Sequence, residues 1–259
     1  MGSSRFIHGG AWRDPRLTVD AFVPSIQRML EASELSSLPP IRGFAAIDYR
    51  LSPHPDFPQK AAETPAAELR VASHPDHISD VRAAIEFLHA ECGIADEYVL
   101  IGHSAGATLA YQLLMGEAAL VGLPAPSTIP LPAAVIGIAG IYDLVGLNAR
   151  FGDGYASFIT AAFGDDRGRW RDVSPASYAG TFKENSPRQR LHLLACSPED
   201  SLIDGPEIDA MAAKLSEDGL HATVVKDLTG DHDFVWQDGS QVARLVAQAL
   251  AHLQEAPGS

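Results

Sequence analysis

The chain has 259 residues, 46% hydrophobic and 20% charged, a composition able to bury the core of one large domain. Nineteen Lys and Arg stand against 33 Asp and Glu, a formal charge of −14 that argues against nucleic acid or an anionic membrane surface as the main partner. Two cysteines, Cys92 and Cys196, are too few for a disulfide framework and fit a reducing, cytoplasmic compartment.

The chain opens on MGSS, which reads as a leftover start without structural weight, followed by RFIH, the end of a strand. Val19, Phe22, Val23, Ile26, Met29 and Leu30 then recur at helical spacing and predict a helix over 18–35. IRGFAAIDY (41–49) is a strand, and RLSPHPDFPQ (50–59) is a loop punctuated by prolines. Ile78, Val81, Ile85 and Leu88 share one face of a helix over 75–91. A buried strand over 97–102 leads into a helix over 105–118, and a strand over 133–142 follows. Residues 146–190, rich in Gly, Asp and aromatics, read as an irregular cap or long-loop insertion. A strand (191–197), a helix (205–218), a strand (221–228) and a terminal helix (239–254) complete the chain. This alternation predicts an α/β fold, a mostly parallel sheet with helices on both faces, as one domain over 1–259. No run is long and apolar enough to span a membrane, and no secretory signal is visible.

Gly102-His103-Ser104-Ala105-Gly106 fits G-x-S-x-G between a strand and a helix, the context in which a serine is thrust out above the sheet edge. Glycines at 102 and 106 leave room for so sharp a turn. The bland reading, an ordinary N-cap serine, does not require both glycines. A serine hydroxyl needs a base oriented by a carboxylate, here in chain order Ser, acid, His. Among ten histidines, only His192, His221, His232 and His252 lie well after Ser104. Three of them fall in or beside strands or in the last helix. His232 lies in the loop TGDHDF between the last strand and the last helix, where it can reach the sheet edge. Asp200 is the preferred acid, in the first turn after the strand LHLLACS, with Glu199 and Asp204 as alternatives. Attack on a carbonyl also demands preorganised N–H donors. HGGAW (8–12) supplies a glycine loop for them, and Gly10, Ala11 and Ala105 are the expected donors. His8 is read as a brace of that loop, with Gly9 and Trp12 as its supports. Trp12 and the aromatics Phe151, Tyr155, Phe158, Phe163, Trp170 and Tyr178 are candidates for an aryl pocket, ordinary packing being as good a reading. His74 and His77 stand at helical spacing without a third ligand, so no metal is assigned. Cys196 is read as a small buried hydrophobe.

HGGAW, IDYRLSP (47–53), GHSAG, the acid after LLACS and the late DHDF occur in one order that resembles the hormone-sensitive-lipase-like branch of the α/β-hydrolases. HGGAW resembles the HGGXW motif of kynurenine formamidases (arylformamidases), and YRLSPHPDFP, HPDHISDV and GHSAGATLA resemble the fungal members. The resemblance implies hydrolysis of N-formyl-L-kynurenine to L-kynurenine and formate in tryptophan catabolism, without a metal or organic cofactor. It implies Ser104 as nucleophile, Asp200 as orienting acid and His232 as general base and acid. Family members carry some tens of residues before HGGXW, so early edge strands are expected to be missing or short here. A small-molecule substrate is the expected partner, with a homodimer as one open assembly. The rival readings are a general carboxylesterase with the same triad and a non-catalytic hydrolase-fold binding module.

Overall fold

A computed structural model describes residues 3–31, 41–93, 98–120, 129–184 and 190–255. Six parallel strands form one sheet in the order β2-β1-β3-β4-β5-β6: β1 Ser3–Ile7, β2 Gly43–Ile47, β3 Val99–His103, β4 Ala134–Ile138, β5 Leu191–Ala195 and β6 Ala222–Val225. The helices are α1 Val23–Glu31, α2 Asp76–Cys92, α3 Ala105–Met115, α4 Leu144–Arg150, α5 Ala156–Phe163, α6 Arg167–Val173, α7 Gly205–Glu217, α8 Phe234–Asp238 and α9 Ser240–Glu255.

Successive strand residues face opposite sides of the sheet, so each inner strand feeds two cores. On one side, Ile7, Leu100, Val135 and Leu194 pack with Ile78, Val81 and Ile85 of α2, with α3, and with Ile208, Met211 and Leu215 of α7. On the other, Phe6, Ile101, Ile136 and Leu193 meet Met29 of α1 and Val242, Leu245, Val246 and Ala249 of α9. Burial on both faces explains why these strands read as continuous apolar runs rather than alternating ones.

Three expectations are corrected. Ser3 and Ser4 are not a weightless start: they pair with β2 and are buried within β1, an inner strand of the sheet. Residues 146–190 are not irregular. Much of their described part is helical, with α4 and α6 started by Asp143 and Asp166, whose carboxylates accept the amides of Gly146 and Gly168. The helix expected over 18–35 begins as a 3₁₀ turn at Val19–Phe22 before α1. Its expected last residues lie outside those described. Elsewhere, ends shift by a few residues, as strand β4 does against the expected 133–142.

The chain leaves β1, crosses to β2 on one side, and returns past β1 to β3 on the other. That reversal makes a switch point between β1 and β3, the place where parallel sheets open a crevice at the carboxyl ends of their strands. The HGGAW loop leaves the end of β1 and Ser104 the end of β3. The loops after β5 and β6, which carry Asp200 and His232, leave the same edge.

Candidate active site

Ser104 has φ 52° and ψ −120°, a strained conformation for a residue with a side chain. The strain is enforced by packing. A Cβ on Gly102 would stand 2.4 Å from the Gly106 carbonyl oxygen, and one on Gly106 would stand 2.1 Å from that of Ile7. Only glycine lets β3, the start of α3 and the end of β1 approach so closely. α3 is buried along its whole length, which holds the turn rigid.

The imidazole of His232 and the carboxylate of Asp200 meet at 2.8 Å, Nδ1 to Oδ2. Both side chains are nearly inaccessible, 8% and 1% exposed, so the pair is shielded from competing water. Asp200 Oδ1 accepts the amides of Leu202 and Ile203 at 2.8 and 2.9 Å, which fixes the carboxylate before it meets the histidine. The two alternative acids are engaged elsewhere. Glu199 accepts the Gly230 amide, and Asp204 pairs with Arg150. Asp231 also shapes the loop: it accepts the His232 amide and both the amide and hydroxyl of Ser201, which hold its carboxyl down at about 2. His192 is buried within β5, and His221 and His252 lie outside the site.

Three consecutive residues of the glycine loop have positive φ: Gly10 at 89°, Ala11 at 48° and Trp12 at 60°. The loop is tied at its carbonyls. The Tyr49 hydroxyl donates to Gly9 O at 2.8 Å and reaches His8 O at 3.1 Å, and the amides of Arg13 and Asp14 both donate to Gly10 O at 2.9 Å. In a trans peptide the N–H points opposite to the C=O, so these ties orient the amides of Gly10 and Ala11. Among the described residues, neither amide donates a hydrogen bond, nor does that of Ala105. His8 is buried and stacked on Tyr49 with ring centroids 4.5 Å apart, and its Nε2 lies 3.3 Å from Asp48. Asp48 and Tyr49 sit in IDYR immediately after β2, where the spacing alone does not mark them as partners of the glycine loop.

Gly10, Ala11, Ser104 and His232 line one cavity of about 410 Å³. Tyr155 and Phe158 also line it, with Ile141, Leu202 and Ile203. Trp12 is instead wholly buried against Phe158 and Phe163, so it supports the wall from behind. Trp170 is likewise core. His103 is buried, and its Nε2 meets the His232 carbonyl at 3.0 Å. A Cβ on Gly9 would come within 2.9 Å of its ring. Burial drives the His103 pKa well down, so the ring is neutral.

His103, His232 and Asp233 bring three potential metal ligands within 4.8 Å of one another. One nitrogen of each histidine is already held, by the His232 carbonyl and by Asp200. His77 is bound to Ser52 rather than aligned with His74 as a ligand pair. Cys196 is buried, and its thiol is pushed up by that burial. Among the described residues, no helix is long and apolar enough to cross a membrane.

Solved structures share this architecture. An esterase from Thermogutta terrifontis matches with TM-score 0.66 at 18% identity, over 100% of this chain and 86% of that one. A carboxyl esterase from Tuber melanosporum matches with TM-score 0.65 at 17% identity, over 96% and 78%. The fold is therefore that of the α/β-hydrolases. No family model matches the chain. Curated relatives are nearer in sequence. The kynurenine formamidase-like hydrolase fscH of Fusarium equiseti is 37% identical over 96% of this chain and 83% of its own length. Kynurenine formamidase avaC of Aspergillus versicolor is 35% identical over 90% and 82%. The kynurenine formamidase of Meyerozyma guilliermondii is 31% identical over 95% and 83%. The chain belongs to the kynurenine formamidase family.

Proposed function

We propose that this protein hydrolyses N-formyl-L-kynurenine to L-kynurenine and formate, as a single hydrolase domain using Ser104, His232 and Asp200. The observation that carries the reading is that Ser104, His232 with its partner Asp200, and the amides of Gly10 and Ala11, which donate no hydrogen bond among the described residues, meet at one cavity. Ser104 Oγ attacks the formamide carbon as His232 takes its proton. Negative charge gathers on the formyl oxygen, where the amides of Gly10, Ala11 and Ala105 stabilise it, each donor contributing about 3–4 kcal/mol to the barrier reduction. The C–N bond breaks, and His232 returns its proton to the departing aryl nitrogen, whose lone pair delocalises into the ring. Water then attacks the formyl-serine with His232 again as base, releasing formate and restoring the hydroxyl.

Asp200 keeps the imidazole in the tautomer that accepts a proton from serine and stabilises the cation that forms. Every step uses groups of the chain and water. The free thiols of Cys92 and Cys196 support a reducing, cytoplasmic setting. General carboxylesterase action is the second reading, favoured by the esterases among the structural neighbours. Parallel rates on N-formylkynurenine and short p-nitrophenyl esters separate the two, with the formamide preferred if the first holds. Ser104→Ala should lower turnover of N-formylkynurenine by several orders of magnitude with the fold intact. Full turnover by that variant removes the mechanism.

A further inference from the structure

The reacting centre accounts for the formamide but not for the other end of the substrate, an α-amino acid with a carboxylate. We propose that Arg13 is the specificity-determining residue that receives this carboxylate; the assignment rests on the formamidase reading above.

Two arginines, Arg13 and Arg16, line the cavity that holds Ser104. Arg16 is already matched. Its Nε and Nη2 grip both oxygens of Asp14 at 3.0 and 2.7 Å, and its side chain is 69% exposed. Arg13 differs in each respect. It is half-buried, and among the described residues no carboxylate comes within 4 Å of its guanidinium. Among the described residues, its guanidinium makes one hydrogen bond, from Nη1 to the neutral Ser157 hydroxyl at 3.1 Å. The guanidinium also lies over the Phe158 ring, 5.8 Å from its centroid, and that ring lines the same cavity. Asp56 and Asp14 act on it only at longer range, and burial lowers its pKa.

A guanidinium has five N–H donors in a fork that fits a carboxylate. Among the described residues, four of them stand uncommitted, on a cation that burial has partly stripped of water. Such a group gains most from an anion that enters beside it. Position completes the argument. Arg13 follows Gly10 by three residues and Ala11 by two, and its own amide is bonded to Gly10 O. The side chain that would read the acid is therefore built into the loop that would hold the oxyanion. The net charge of −14 repels anions from the surface generally, so a cationic fork that lines the cavity without a carboxylate partner among the described residues discriminates strongly.

The test compares N-formyl-L-kynurenine with 2-formamidoacetophenone, which keeps the aryl formamide and lacks the amino acid. Both are assayed with the unaltered protein, Arg13→Met and Arg13→Lys. Arg13→Met should cut the preference for the acid substrate, the ratio of the two kcat/KM values, roughly 10- to 100-fold, mainly through KM. Arg13→Lys should recover part of it, since the charge remains and the fork is lost. Equal losses on both substrates, or an unchanged ratio, overturn the assignment and leave the formamidase reading standing. If the unaltered protein turns over p-nitrophenyl acetate but neither formamide, both readings fall together, and the two failures are thereby told apart.

Discussion

Replacing Asp200 by asparagine tests the geometry most sharply, because the surroundings dictate which way the new amide faces. Oδ1 of Asp200 accepts two backbone amides, from Leu202 and Ile203. An asparagine must put its oxygen there, since an NH₂ group would confront two donors. Its NH₂ then faces His232 Nδ1 at the 2.8 Å position of Oδ2. The imidazole can accept that bond only with its proton moved to Nε2, and in that tautomer it cannot take the proton of Ser104. A triad base held in the wrong tautomer loses about 10⁴ in kcat, or about 5 kcal/mol of barrier. The two backbone bonds survive, so the melting temperature should stay within a few degrees. Glu199→Gln is the matched control. Its carbonyl can still accept the Gly230 amide, so activity should stay within roughly an order of magnitude. Kynurenine release, followed by absorbance, reads both variants. The reasoning is refuted if Asp200→Asn keeps more than a tenth of the activity, or if Glu199→Gln loses more than it does.

Tyr49→Phe removes the hydroxyl that ties two carbonyls of the glycine loop. Activity should fall about tenfold or more while KM changes little, and stability should drop by about 1–3 kcal/mol for the buried acceptors left unpaired; a variant with unaltered kcat removes Tyr49 from the site. Acid should destabilise the fold between pH 6.5 and about 4. Burial lowers His74 to about 3 and His77 and His192 to about 4, and drives His103 well down, so the unfolded chain takes up protons that the folded one refuses. Each group in that window contributes about 1.4 kcal/mol per pH unit. Glu207 works in the opposite sense. Burial raises it to about 7, so its contribution fades as pH rises from 4.5 through 7, but one carboxylate stands against four imidazoles. Thermal melts across this range should show a falling midpoint on acidification, and a flat or rising one contradicts the assignment of neutral buried histidines.

Much of this site is visible in the linear chain because its demands are local. The turn at Ser104 needs small residues two positions to either side, and the loop before Trp12 needs glycine. Both requirements leave marks at fixed spacing. The choice among Glu199, Asp200 and Asp204 is of another kind. It is decided by which partner each finds across the fold, Gly230, His232 or Arg150, and spacing holds no record of that. Tyr49 leaves no such mark for the same reason: its role consists of two bonds to carbonyls of the loop after β1, some forty residues earlier. The helices α4, α5 and α6 have seven or eight residues each, about two turns, too few for an apolar stripe to declare itself. Ser3, Ser4 and Arg5 look like surface residues yet are buried, Arg5 with its guanidinium 3.6 Å from the centre of the Tyr98 ring.

Strand β1 is the first described strand and yet an inner one, seated between β2 and β3. Its second neighbour, Val99–His103, is synthesised almost a hundred residues later, so the seat cannot close until much of the polypeptide exists. The glycine loop hangs directly from the end of that late-closing strand. On the proposed mechanism, insertion of β1 also brings the amides of Gly10 and Ala11 to the cavity, and the first turnover of a newborn molecule doubles as a report that its sheet has zipped shut.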